Sequence, residues 1–169
     1  MGTLQRLAPL AAILTTACVD VPSSGAPAPD AAPFPVLRFF DGRSEGLATL
    51  KVMFRGRVPV RVESLGRIEA GTLVLRQIVH EGAKPARERA WRISETAPGH
   101  FAGTLSDAAG PVTADASPGR LHIVFAMKDG VAAEQWLTLA PDGRSAHNVL
   151  TARKFGIVVA VLDETIRKL

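Results

Sequence analysis

The sequence predicts an all-β fold, an antiparallel meander of about 8–10 strands that closes, or nearly closes, into a barrel. Apolar and polar residues alternate with a period of two, as at Val58, Val60 and Val62, which is the pattern of a strand with one buried face. Turn signals such as Asp129-Gly130 separate these runs at intervals of mostly about ten to twenty residues. Alternation and frequent turns together favour consecutive hairpins over helices.

The alternation places nine strands along the chain after a brief helix candidate just before Phe39. Consecutive hairpins remove exposed edges most easily by closing into a barrel, and a two-sheet sandwich is the alternative. A barrel of this size has room for one small ligand. The predicted strands are 46–54, 58–69, 72–81, 88–95, 100–106, 120–128, 133–140, 146–153 and 156–167.

Residues 1–17 are predicted to be a lipoprotein signal peptide. Arg6 precedes an apolar run that is shorter than the ~20 residues needed to span a bilayer. The run ends at Cys18, the only cysteine, which predicts cleavage before Cys18 and its modification by lipid, palmitate included. Thr15 stands where such signals usually carry leucine. An ordinary secretory signal cut near Ala17 and an uncleaved anchor are the alternatives.

Residues 18–35 are predicted to form a disordered tether, because their Pro- and Ala-rich composition cannot bury apolar surface. The β-barrel domain would then be residues 36–169, long enough to bury a core without disulfides. The expected location is the bacterial cell envelope, lipid-anchored and facing the periplasm. Val19 rather than an aspartate follows Cys18, which favours the outer membrane over the inner.

Charge is spread unevenly over the predicted domain. Residues 38–92 contain twelve Lys or Arg and six Asp or Glu, whereas residues 93–169 contain seven and eight. A basic half favours anionic lipid headgroups or nucleic acid. The basic residues are dispersed, aromatic residues are few and tyrosine is absent, so nucleic acid is not an expected partner.

Several short motifs occur in order over roughly residues 36–169. They are Phe39-Phe40-Asp41-Gly42, Glu45-Gly46, Arg89-Ala90-Trp91-Arg92-Ile93, Gly99-His100-Phe101-Ala102-Gly103-Thr104 followed by Asp107 and Gly110, Gln135-Trp136-Leu137, Asn148 and Lys154-Phe155-Gly156-Ile157. In their order and spacing they resemble a bacterial family of lipoproteins known as domain of unknown function 3833. The chain departs from that family at Gln135, where the family tends to have aspartate, and near Asp107, where it tends to have an acidic pair. The resemblance implies a lipid-anchored, lipocalin- or calycin-like β-barrel and no activity.

Four residues are candidates for a ligand pocket: Trp91, Arg92, Asp107 and Trp136. The two tryptophans could line an apolar pocket or pack in the core. Arg89 and Arg92 point to opposite faces of one strand, and one of them could close the barrel over a tryptophan, by analogy with calycins. Asp107 lies in a polar bend, where it could orient a ligand or cap the turn.

Signatures of catalysis are missing, including a nucleophile elbow, a zinc-protease motif and Gly-rich phosphate loops. The four histidines, His80, His100, His122 and His147, do not pair at metal-ligand spacing. We therefore predict no catalytic residue, no metal and no cofactor.

The leading hypothesis is a non-enzymatic, membrane-anchored periplasmic lipoprotein that binds an apolar small molecule or lipid. One alternative is an envelope structural or assembly factor that binds a protein partner. Another is an enzyme acting on a lipid-like substrate through Asp107, a histidine or Arg92.

Overall fold

The computed structural model of the protein describes residues 19–169, in which one short helix precedes ten strands. Residues 1–17 and Cys18 lie outside the described residues, and so the signal peptide and the lipid attachment stay predictions. The helix is α1 (Val36–Phe40). The strands are β1 (Gly42–Val52), β2 (Arg57–Glu69), β3 (Thr72–Glu81), β4 (Arg87–Ala97), β5 (His100–Leu105), β6 (Ala108–Ser117), β7 (Arg120–Met127), β8 (Val131–Leu139), β9 (Ser145–Lys154) and β10 (Ile157–Lys168).

The ten strands form a closed antiparallel meander, which confirms the predicted fold class. Every strand pairs with its neighbours in sequence, and β1 completes the circle by pairing with β10. In this closing pair Leu50 lies opposite Leu162, and on the other side of β1 it lies opposite Val58. No strand among the described residues therefore has a free edge.

Strand β6 is the element that the sequence prediction missed. Its sequence, AAGPVTADAS, contains a glycine, a proline and four alanines, all of which are depleted in strands. A register irregularity between Ala108 and Val112 accommodates Gly110 and Pro111. The strand also completes the barrel: with nine consecutive antiparallel strands, the first and last would run parallel, whereas ten make β1 and β10 antiparallel.

Helix α1 covers one end of the barrel, which we call the closed end. Phe39 is only 2% exposed, and its ring lies 5.1 Å from that of Phe34 and 5.0 Å from that of Phe40. The helix lies against β2 at Gly66, where a Cβ atom would come within 1.9 Å of the Phe40 carbonyl oxygen. Gly66 is thus required for this close approach. The β2–β3, β4–β5, β6–β7 and β8–β9 turns lie at the same end.

The opposite end, which we call the open end, carries the β1–β2, β3–β4, β5–β6, β7–β8 and β9–β10 hairpins. Side chains that alternate along each strand point into the barrel, where they form the main core with α1. The outward set is mostly polar. No helix within residues 19–169 is both long enough and apolar enough to cross a bilayer.

Residues 19–34, which we call the strap, lie on the outer surface of the barrel. Val19 is buried in a small cluster with Val149 and Val161, near the open end. The Ser24 hydroxyl accepts a hydrogen bond from Arg120 Nη2 at 2.5 Å. The strap has no helix and only an isolated bridge at Pro33, in line with its composition.

The strap ends at the closed end of the barrel. Phe34 N–H donates to the Ser117 carbonyl at 3.1 Å, and Gly119 N–H donates to the Ala32 carbonyl at 2.8 Å. Its sixteen residues therefore descend from the rim of the open end to α1.

Candidate functional site

The barrel encloses a cavity of about 260 Å³. It extends from Val36 and Phe40 of α1 to Glu81 and Arg87 near the open end. Small-molecule pockets usually measure ~300–1,000 Å³, so this cavity suits a small ligand. Most of the lining is apolar. Its apolar members include Leu73, Leu75, Trp91, Leu121, Phe125 and Leu137.

A hydrogen-bonded carboxylate interrupts this apolar lining. Glu164 on β10 is buried and accepts a hydrogen bond at 2.7 Å from Asn148 Nδ2 on β9. Gln135 Nε2 in turn donates to Asn148 Oδ1 at 3.4 Å. Burial raises the pKa of Glu164, while the Asn148 hydrogen bond and the charge of Arg89 act in the opposite direction.

Gly46 makes room for this carboxylate. A Cβ atom on Gly46 would lie 1.9 Å from Glu164 Oε1, so any side chain there would displace the carboxylate or clash with it.

Arg89 on β4 brings a positive charge into the same cavity. Its guanidinium lies 5.5 Å from the ring centre of Trp91, and its Nε lies 2.8 Å from Asp107 Oδ2. Burial lowers the pKa of Arg89, and Asp107 partly opposes that shift. Asp107 also binds Arg87 Nη1 at 2.5 Å. The carboxylate of Asp107 thus holds two arginines at the rim of the open end.

Trp91 has a polar partner on the adjacent strand. Its Nε1 donates to Gln77 Oε1 at 2.7 Å, and Gln77 Nε2 donates to Ser64 Oγ at 3.1 Å. The ring contacts Phe125 edge to face at a centroid distance of 5.8 Å. The indole is therefore held rigidly at the cavity wall.

Of the four residues proposed for the pocket, Trp91 lines the cavity and Asp107 contacts it through Arg89. Arg92 does not line it, because successive strand residues face opposite sides and Trp91 points inward. Arg92 is exposed, and Arg89 is the arginine that lies over the tryptophan.

Trp136 also lies outside the cavity, on the outer face of β8. Its ring stacks on His122 at 4.0 Å and has the Arg120 guanidinium 4.6 Å from its centre. Glu134 accepts hydrogen bonds from His122 and from Trp136 Nε1. Burial alone would raise the pKa of Glu134, but these bonds and the nearby Arg153 outweigh it, so the pKa is lowered. The cluster connects β7, β8 and β9.

All four histidines belong to the outward sets of their strands, and each has a carboxylate from a neighbouring strand beside it. The pairs are His80–Glu63, His100–Asp115, His122–Glu134 and His147–Asp163. They contribute nothing to the cavity. Within residues 19–169 no group of three or more His, Cys, Asp or Glu side chains is placed to hold a metal ion.

Sequence reasoning missed Glu164, Asn148 and Gln77 as cavity residues. Each is a polar residue on an otherwise apolar strand face, such as Ala160, Leu162, Glu164 and Ile166 on β10. A single carboxylate or amide within an inward-facing series is the signal that could have found them. Together they give the cavity an apolar body with a polar band that can donate and accept hydrogen bonds.

The closed ten-stranded meander with an internal cavity defines the protein as a lipocalin-like barrel. The chain is similar to an S-type phycobiliprotein lyase from Guillardia theta, with a TM-score of 0.61 and 8% identity over 79% of this chain and 90% of the lyase. It is also similar to a protein of unknown function from Nostoc punctiforme in the domain-of-unknown-function 3598 family. There the TM-score is 0.57 and the identity 11%, over 83% of this chain and 51% of that one. No protein-family model and no curated protein matches the sequence.

Proposed function

We propose that the barrel binds one small amphipathic molecule. The observation that carries the proposal is the cavity itself, an apolar interior of about 260 Å³ with a buried charged and hydrogen-bonding group in its wall. A likeness to solved structures at 8% and 11% identity establishes the fold alone, so no lyase activity is carried over from the neighbour.

The polar band selects the chemistry of the ligand. A purely apolar ligand would exclude water from Arg89 and Glu164 without offering either side chain a new hydrogen-bond partner. Burying polar or charged groups in this way costs free energy. A molecule with an apolar body and one carboxylate or hydroxyl group could place that group beside Arg89 or Asn148. The body would then contact Trp91, Phe125 and the leucines of the lining.

Trp91 offers a direct test, because it lines the cavity while Trp136 lies on the outer face. The Trp136→Phe variant retains only the cavity tryptophan, and Trp91→Phe retains only the outer one. Titration with 8-bromooctanoate, whose bromine quenches tryptophan at contact, should strongly quench Trp136→Phe and leave Trp91→Phe nearly unchanged. Equal quenching in both variants, or none in either, would refute binding of a small amphiphile in the barrel.

We further propose that the barrel is anchored to the bacterial envelope through lipid on Cys18 and faces the periplasm. The apolar run before Cys18 and its position as the only cysteine support this. Metabolic labelling with an alkyne analogue of palmitate should tag the wild-type chain and leave Cys18→Ser unlabelled. An unlabelled mature wild-type chain would contradict lipidation. Membership of the domain of unknown function 3833 family likewise remains a proposal that rests on the quoted motifs.

A further inference from the structure

Two phenylalanines project into solvent at the open end of the barrel. Phe54 lies at the tip of the β1–β2 hairpin and is 86% exposed, and Phe155 lies at the tip of the β9–β10 hairpin and is 92% exposed. The two hairpins are neighbours, because β1 pairs with β10 and Met53 N–H donates to the Val159 carbonyl at 2.8 Å. The two most exposed large apolar side chains of the described residues therefore lie on adjacent hairpin tips, and exposed apolar groups of this kind mark an interaction surface.

The backbone at both tips adopts a conformation that suits glycine better than phenylalanine. Phe155 has φ of 52° and precedes Gly156 in a two-residue turn, where the first position is usually Asn, Asp or Gly. Phe54 has φ of 60° in a turn closed by the Arg55 N–H bond to the Val52 carbonyl. Both phenylalanines therefore point outward from a backbone conformation that is unfavourable for a non-glycine residue. Packing inside the barrel does not account for this conformation.

The surface around these phenylalanines is basic. The two tips, residues 51–57 and 153–158, carry five basic side chains and no carboxylate. Two turns at the closed end have no net charge. Residues 67–72 contain Arg67 and Glu69, and residues 140–145 contain Arg144 and Asp142. The basic residues are Lys51, Arg55, Arg57, Arg153 and Lys154, of which Arg153 also donates a hydrogen bond to Glu134 on β8.

The strap approaches the same rim. Val19 packs against Val149 and Val161, with Met53 and Val158 of the two hairpins at the edge of the cluster. The described chain therefore begins at the open end, beside the exposed phenylalanines, and not at the end covered by α1.

We propose that the open end docks on a lipid bilayer that contains anionic headgroups. Phe54 and Phe155 enter the interface between headgroups and acyl chains, and the basic side chains pair with the anionic lipids. Exposed aromatic residues beside cations are the combination that binds bilayer surfaces, since each basic residue adds attraction and the rings add buried apolar area. The docking is a property of the tips, so it depends neither on a ligand in the cavity nor on lipidation of Cys18.

Depth-dependent quenching tests this orientation in the full chain. Phe54→Trp places a fluorophore at the open end, and Ile68→Trp places one near the end of β2 at the closed end, where the native side chain is also exposed, at 45% against 86% for Phe54. On vesicles of phosphatidylglycerol and dibrominated phosphatidylcholine, the signal added by Phe54→Trp should be quenched at least about twofold more strongly than that added by Ile68→Trp. Equal quenching at the two positions, or stronger quenching at residue 68, would overturn the proposal.

Charge reversal supplies a matched comparison. Arg55→Glu with Lys154→Glu should weaken partition onto phosphatidylglycerol vesicles about tenfold or more at low salt, because each reversal removes one attraction and adds one repulsion. Arg67→Glu with Arg144→Glu, at the closed end, makes the same change in net charge and should change partition by less than about twofold. Equal loss in both pairs would show that net charge alone matters and would overturn docking by the tips. The proposal would also be overturned if brominated lipid did not quench fluorophores at the tips and only another protein shielded the tips from solvent.

Discussion

Asn148 Nδ2 donates a hydrogen bond to Glu164 Oε2 over 2.7 Å, and both side chains lie almost wholly inside the barrel, at 1% and 6% exposure. The pair joins β9 to β10 through their side chains as well as through their backbones. The carboxylate has no salt-bridge partner within 4 Å among the described residues, and Arg89 acts on it only through its longer-range charge. Glu164 is therefore a buried carboxyl group in the cavity wall whose pKa is raised by burial.

The raised pKa of Glu164 makes the free energy of unfolding depend on pH. In the unfolded chain this carboxyl ionises near its ordinary value of about 4.3. In the folded barrel it keeps its proton to higher pH. Between the two values the folded state binds more protons, so stability falls as pH rises, by at most about 1.4 kcal/mol per pH unit.

Glu164→Gln should abolish this contribution and be more stable than wild type above the folded-state pKa. Urea unfolding from pH 4 to 8 would measure it. Glu69→Gln, at an exposed position, is the control and should retain the wild-type pH dependence. If wild type and Glu164→Gln lose stability in parallel over this range, then Glu164 does not titrate as the structure indicates.

Gly66→Ala should destabilise the protein by about 1–3 kcal/mol, because its Cβ would lie 1.9 Å from the Phe40 carbonyl and would push α1 off the barrel. Gly56→Ala is a matched control, since nothing lies within 4 Å of its added Cβ and its φ is not positive. Thermal unfolding would compare the two variants. Equal melting temperatures would mean that α1 does not rest on Gly66.

Arg89→Gln should weaken binding of 8-bromooctanoate about tenfold, because a hydrogen bond to a charged group contributes ~1.5–3 kcal/mol. The same variant should bind 8-bromooctanol nearly as well as wild type, because the alcohol carries no charge that could pair with Arg89. Arg92→Gln, three residues along the same strand but on the outer face, should change neither affinity. Quenching titrations in the Trp136→Phe background would measure the affinity of each arginine variant, and of the protein with both arginines intact, for the two ligands. A loss of affinity in Arg92→Gln equal to that in Arg89→Gln would contradict this assignment.

Val19→Asp should release the strap by placing a charge in the cluster with Val149 and Val161. Cleavage of residues 19–33 by a non-specific protease should accelerate about tenfold, since cleavage follows the population of the released state. Val21→Asp, at an exposed position two residues along, should leave the rate unchanged. Cleavage at equal rates in both variants would show that Val19 does not hold the strap.

Alternation and turn spacing were enough to predict nine of the ten strands, and they failed at β6 for a local reason. In β6 only Val112 and Ala114 are buried, and the residues between and around them are small or polar. Such a strand is held mainly by backbone hydrogen bonds to β5 and β7. Its sequence therefore shows little alternation of apolar and polar residues. The number of strands follows from closure, which depends on pairing between the two ends of the chain and has no local signature.

The candidate site was predicted less well than the fold. Trp91 lines the cavity, which is one of the two roles that the sequence left open, and the alternation of β4 excludes Arg92 from that face and admits Arg89. Trp136 lies outside the cavity because Ala133, Gln135 and Leu137 are the inward-facing residues of β8. The amide of Gln135, and not the indole of Trp136, therefore faces the core. The contact between Glu164 and Asn148 depends on the register of β9 and β10, and the effect of the Arg89 charge on Glu164 depends on closure of the barrel, which brings β4 opposite β10.

The pairing of β1 with β10 determines when the cavity comes into existence. Leu50 meets Leu162 only after more than a hundred intervening residues have been made. Contacts this distant in sequence form slowly, because the entropy of closing the loop must be lost before the pairing can stabilise it. A partly synthesised chain therefore has hairpins but no enclosed interior, and the proposed ligand can be bound only after the last strand has joined the first.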